Sequence, residues 1–153
     1  MFREWPVRET RLRHLANPGN VFAQMPSLPP RLGSRVLLVD DNDDARELLA
    51  RLLSAYDYHV ATASDASDAL ALAEQFQPQI AVLDIGLPDL NGWELARRLR
   101  GISGLEQILL VALTGRSTDR DREKSRDAGI DEHLLKPIEI ELLMKSFARS
   151  SRA

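Results

Sequence analysis

Cysteine is absent from all 153 residues, which excludes disulfides, thiol catalysis and a zinc–thiolate centre. Long apolar runs are absent too. Arg3, Arg8, Arg11 and Arg13 open the chain, yet nothing after them could serve as a signal-peptide core or a membrane span. A soluble, cytoplasmic protein with no membrane partner is therefore expected. No strong excess of one charge exists: 20 Lys and Arg stand against 23 Asp and Glu, for a net charge of −3. The segment before Val36 is arginine-rich, so the remainder is more acidic than that balance suggests and offers no electrostatic footing for nucleic acid. No internal repeat is present, and the length supports one domain with a core plus some extra sequence.

The extra sequence is amino-terminal. Pro6, Asn17-Pro18-Gly19-Asn20, Pro26 and Pro29-Pro30 punctuate a stretch poor in core residues, in which only Arg8 to Ala16 fits a short helix. It is expected to be a flexible Arg/Pro-containing arm over 1–33, followed by one folded domain over 34–150.

From Arg35 onward, short apolar runs alternate with helical spacing. Val36–Val39, Ile80–Leu83, Ile108–Leu113 and His133–Leu135 are continuous runs of the kind found in strands covered on both faces, and His59–Ala63 is a further strand. Helical spacing follows each: Ala45, Leu48, Leu49 and Leu52 after a cap at Asn42 or Asp43; Ala66, Ala69, Leu70 and Ala73 after Ser64 or Asp65; Leu95, Leu99 and Ile102 after Asn91, with Glu94 placed for a capping box; and finally Leu142, Leu143 and Phe147. Ser117 to Asp127 is dense in charge with almost no apolar stripe, hence poorly anchored by burial and easily moved. Five strands alternating with five helices predict an α/β doubly wound parallel sheet.

Four of the runs end in polar residues: Asp40-Asp41, Asp84, Thr114 and Lys136-Pro137. Taken singly, each has an ordinary reading as a cap or turn. Together they would lie beyond the carboxyl ends of parallel strands, where ligands of such sheets bind. Three carboxylates repel one another unless a divalent cation is present, and oxygen-only donors select Mg²⁺ or Mn²⁺. A carboxylate can be the nucleophile in phosphoryl transfer, and Asp84, on a central strand, is the candidate. Phosphoryl transfer needs positioning and neutralisation of the equatorial oxygens, which the cation, the Lys136 ammonium, the Thr114 hydroxyl and the N–H of Gly115 or Arg116 could supply.

Asp40-Asp41, the run Asp84-Ile85-Gly86-Leu87-Pro88-Asp89-Leu90-Asn91-Gly92, Thr114-Gly115 and Lys136-Pro137 resemble the receiver domain of two-component response regulators in order, spacing and strand context, over roughly Ser34 to Ser150. The resemblance implies a flavodoxin-like sheet of order 2-1-3-4-5. It implies that Asp84 accepts phosphate from the phosphohistidine of a histidine kinase or histidine phosphotransfer protein. Asp41 would be a direct metal ligand, Asp40 its support, and the Gly86 backbone carbonyl a further ligand, with a cis bond at Pro137 placing Lys136. Thr114 would act as a switch with the residue three before the lysine, which is aromatic in many relatives and His133 here, a choice similar to receivers of hybrid kinases in phosphorelays. Arg116 and Gly86 occupy positions tied to phosphate lifetime, and the Arg116 fork suits phosphoryl oxygens.

On that basis the chain is expected to be a phosphoacceptor signalling module without an output domain. It would catalyse only its own phosphorylation and dephosphorylation and act through a downstream protein target, with a homodimer through the last helix as a further option. Three alternatives remain. A haloacid-dehalogenase-type phosphohydrolase would need an acid/base Asp two residues after the nucleophile, where Gly86 stands. A flavodoxin-like cofactor binder would need backbone donors where Asp40 and Asp41 stand. A receiver-shaped interaction module would use no phosphate at all.

Overall fold

The apolar runs become strands because a parallel sheet covered on both faces removes the side chains of its inner strands from water; the run His133–Leu135 forms an edge strand instead, half-buried and with Leu135 exposed. In the computed structural model, which describes residues 31–148 apart from positions 88, 116 and 117, they are β1 (Arg35–Val39), β2 (His59–Ala63), β3 (Ile80–Asp84), β4 (Leu109–Thr114) and β5 (Glu132–Leu135). Between and after them run α1 (Asp43–Ala55), α2 (Ala66–Phe76), α3 (Gly92–Arg100), α4 (Asp119–Asp127) and α5 (Ile140–Phe147). All strand pairs are parallel, in the order β2-β1-β3-β4-β5. The sheet order and the alternation of elements are those the sequence led to expect. The expected amino-terminal arm lies outside the described residues except for 31–33.

Alternate residues of each strand feed two cores. Leu37, Val39, Ala81, Leu83, Leu110 and Ala112 pack against α2 and α3, where Ala66, Ala69, Ala73 and Ala96 let the helices approach closely. Val36, Leu38, Ile80, Val82, Val111 and Leu113 pack on the other face with Leu53, Leu143 and Phe147. There the Tyr58 and Phe147 rings meet edge to face at 5.2 Å, and burial pushes the Tyr58 phenol up to about 12.

Helix α1 presents a different face from the one predicted. Leu48 is 61% exposed and Leu52 is also exposed, whereas Leu53 is fully buried with Leu49 and Ala50 beside it. In α5 the predicted Leu143 and Phe147 enter the core, and of the three predicted residues Leu142 is exposed. α1 carries adjacent leucines, so the sequence offers two stripes there, and packing on the sheet selects the one rotated by a residue.

The starts of α1 to α4 are set by side-chain caps, each satisfying an otherwise unpaired N–H, whereas α5 has no side-chain cap. Asn42 accepts from Ala45 N, Asp65 from Asp68 N and Asn91 from Glu94 N. α4 starts with a full capping box between Thr118 and Asp121, which the sequence reading did not identify. Gly92 is required for a packing reason. A Cβ there would lie 2.8 Å from the Ile85 Cα, so the first turn of α3 can pass over the loop that follows β3 only as glycine.

Candidate functional site

Register brings the polar strand ends to one edge. Val39 pairs with Leu83, Asp84 with Leu113, and Thr114 with Leu135, so Asp40, Asp84, Thr114 and Lys136 finish at similar heights on neighbouring strands. One carboxylate oxygen from each of Asp40, Asp41 and Asp84 lies within 4.8 Å of the others. Asp40 and Asp84 are buried and Asp41 is exposed, leaving the cluster open on one side. The Lys136 ammonium stands 3.3 Å from Asp84 Oδ2 and 3.7 Å from Asp40 Oδ2. Its backbone N–H donates to the Thr114 carbonyl at 2.7 Å, and the Lys136–Pro137 peptide is cis.

The loops are fixed by their own backbone. Asn42 N–H donates to Asp40 Oδ1 at 2.9 Å and Gly86 N–H to Asp84 Oδ1 at 3.0 Å. Asp89, at the far end of the loop after β3, accepts from Ala66 N–H and Ser67 N–H at the start of α2. Those bonds, the one to Ala66 first, hold its carboxyl below the usual carboxylate range. Sequence reasoning took Asp89 only as part of a loop, because a cap supplied from 23 residues away leaves no local signal.

Burial pushes the Asp40 carboxyl up, against the pull of the Asn42 N–H and of Lys136, with the charges of Asp84 and Asp41 adding to the rise. The pocket therefore holds more negative charge than Lys136 balances. Hard oxygen donors, an open side and a deficit of positive charge fit a Mg²⁺ or Mn²⁺ ion.

Linkage gives this deficit a sign. A carboxyl whose folded pKa is raised weakens the fold when ionised, a penalty present at neutral pH and relieved as pH falls through the folded value. In the absence of divalent cations Asp40→Asn is therefore expected to raise the melting temperature at pH 7, since Asn retains an acceptor for Asn42, while losing most of the stabilisation that added Mg²⁺ gives the native protein. Thermal melts with and without Mg²⁺ check both halves; a lower melting temperature in the cation-free variant contradicts the assignment of strain to Asp40.

Thr114, the last residue of β4, is buried. His133 pairs with Ala112 in register, so it shares with Thr114 the sheet face that packs toward α4. Both imidazole nitrogens are buried without a hydrogen-bond partner, and burial, with the Arg122 charge assisting, pulls its pKa down. Beside it, α4 is polar throughout as predicted, but it is anchored at Trp93: the indole N–H donates at 2.9 Å to the hydroxyl of buried Ser125, and the Lys124 ammonium lies 5.0 Å over the same ring. Arg116 lies outside the described residues.

Among the described residues no helix is long and apolar enough to cross a membrane. A family model, the response regulator receiver domain, matches residues 36–148. Response regulator MprA of Mycobacterium tuberculosis is 38% identical over 110 residues, which are 72% of this chain and 47% of that protein, so the chain spans about half the length of such relatives. The receiver domain of a Pseudomonas aeruginosa sensor histidine kinase, solved with a magnesium ion coordinated in its active site cleft, superposes with a TM-score of 0.70 at 27% identity, over 79% of this chain and 99% of that one. A Burkholderia pseudomallei response regulator, solved with a phosphorylated aspartic acid, calcium and citrate, gives 0.69 at 25% identity, over 74% and 66%.

Proposed function

Since the chain belongs to the response regulator receiver family of two-component systems, we propose that Asp84 is its phosphoacceptor, charged by a histidine kinase or a histidine phosphotransfer protein, and that the phosphorylated domain signals through protein contacts. The observation that carries this is the meeting of Asp40, Asp41, Asp84 and Lys136 at one sheet edge. Receiver domains are signalling domains rather than turnover enzymes, so the chemistry required is a single transfer.

In that transfer an Asp84 carboxylate oxygen forms a bond to phosphorus as the P–N bond to the donor histidine breaks, the electron pair leaving with the imidazole nitrogen. Asp40, Asp41, Asp84 and the Gly86 carbonyl would hold Mg²⁺, which supplies positive charge to the phosphoryl oxygens. Lys136 neutralises a further oxygen as a point charge, and it needs little movement because it already faces Asp84. The Thr114 hydroxyl, at the end of the adjacent strand, would donate to another phosphoryl oxygen and carry the change toward His133 and α4.

Arrival of a phosphoryl group adds roughly one and a half to two negative charges. α4, which has few apolar contacts, is the element most easily displaced by them. Incubation with acetyl phosphate in the presence and absence of Mg²⁺, followed by intact mass measurement, tests the proposal. A Mg²⁺-dependent gain of one phosphoryl group is expected; no gain in a folded protein favours a phosphate-independent interaction module.

A further inference from the structure

Arg46 stands where a cation is least expected. It lies in the first turn of α1, and the amino end of a helix dipole repels positive charge. Its side chain is nonetheless only 18% exposed. One guanidinium nitrogen donates to the Asp40 backbone carbonyl at 2.8 Å and the other to Asp43 Oδ1 at 2.7 Å. The Asp43 contact offsets the dipole; the carbonyl contact reaches back across the turn toward the acidic cluster.

That carbonyl belongs to the peptide joining Asp40 to Asp41. A peptide unit is planar and rigid, so pinning its oxygen fixes the direction in which the backbone enters Asp41. Asp40 and Asp84 each have a carboxylate oxygen held by a nearby backbone N–H. Among the described residues the Asp41 carboxylate has neither a hydrogen bond nor an ion pair, and it is exposed. Its aim therefore depends on the backbone beneath it, and Arg46 holds that backbone from α1.

We propose that Arg46 is a positioning residue for the cation site: resting on the metal-dependent reading above, it orients the Asp40–Asp41 peptide so that Asp41 points into the cluster. Lysine cannot replace it fully, because one ammonium is a point donor without the fixed fork that reaches the carbonyl and Asp43 together.

Isothermal titration of the whole chain with MgCl₂ tests this without any phosphodonor. Arg46→Ala is expected to weaken Mg²⁺ binding about tenfold, the lower end of what loss of an outer partner of a metal ligand costs, with Arg46→Lys in between. Arg51→Ala, on the same helix and paired with Glu47 at the surface, should bind as the native chain does. With acetyl phosphate, the Mg²⁺ concentration giving half the maximal rate should rise in Arg46→Ala while the rate at saturating Mg²⁺ is retained. A purely structural role predicts instead a lowered melting temperature with unchanged Mg²⁺ affinity, and that result overturns the proposal. If Arg46→Ala does not fold, Arg46→Lys carries the test, and native affinity in that variant overturns it equally. A native chain that takes up no Mg²⁺ sinks the reading of the whole site, and this role with it.

Discussion

Asp84→Asn is expected to take no phosphoryl group from acetyl phosphate at any Mg²⁺ concentration, while remaining folded. The carboxylate is the sole nucleophile on the central strand, and an amide oxygen lacks both the charge and the lone-pair basicity to displace a leaving group from phosphorus. Structure should survive because Asn keeps an acceptor for the Gly86 N–H and relieves part of the repulsion among the clustered acids. Lys136 still has Asp40 at 3.7 Å. A stability change within about 1 kcal/mol is expected, measured by urea denaturation alongside intact mass. Covalent phosphate on this variant would move the phosphoacceptor to another residue.

Arg100→Ala is expected to cost about 3 kcal/mol, far more than any neighbouring arginine. The Arg100 guanidinium donates to the carbonyls of Glu106 and Ile108 at 3.1 Å and of Gly129 at 2.6 Å, and it faces Asp131 Oδ2 at 3.3 Å. The same carboxylate oxygen accepts from Leu110 N–H at 2.9 Å. One side chain thus joins the end of α3, the entry to β4 and the turn between α4 and β5. Arg100 and Asp131 are largely shielded from water, at 15% and 12% exposure, so truncation leaves a carboxylate and several carbonyls short of donors. Against a total stability on the order of 10 kcal/mol, the urea midpoint should fall sharply with an unchanged slope. Arg97→Ala and Arg98→Ala, whose pairs with Glu94 are solvent-exposed, should each cost under about 0.5 kcal/mol. A midpoint for Arg100→Ala no lower than theirs contradicts the staple.

Strands were legible because a run buried on both faces leaves an unbroken apolar signature, and strand ends because a polar residue stops each run. The site was legible for the same reason: Asp40, Asp84, Thr114 and Lys136 terminate four such runs, and a parallel sheet aligns terminations. Helix orientation was less legible. In α1 Leu48, Leu49, Leu52 and Leu53 fit two faces equally well, and contact with Val36 and Leu38 below decides between them. Side chains that act across the fold were hidden, since Arg100, Asp89 and Trp93 find partners 31, 23 and 32 residues away. Arg46 left one trace, a cation in the first turn of a helix, which the reading passed over.

Trp93 gives the molecule a built-in optical probe. The chain has two tryptophans, Trp5 and Trp93, so Trp5→Phe leaves a single emitter, seated between the helix that crosses the Asp84 loop and the polar helix beyond Thr114. Its emission energy and its quenching depend on the Ser125 hydroxyl and on the Lys124 ammonium, both carried by α4. Any displacement of that helix is thus recorded as a change of colour or brightness, in real time and without a dye.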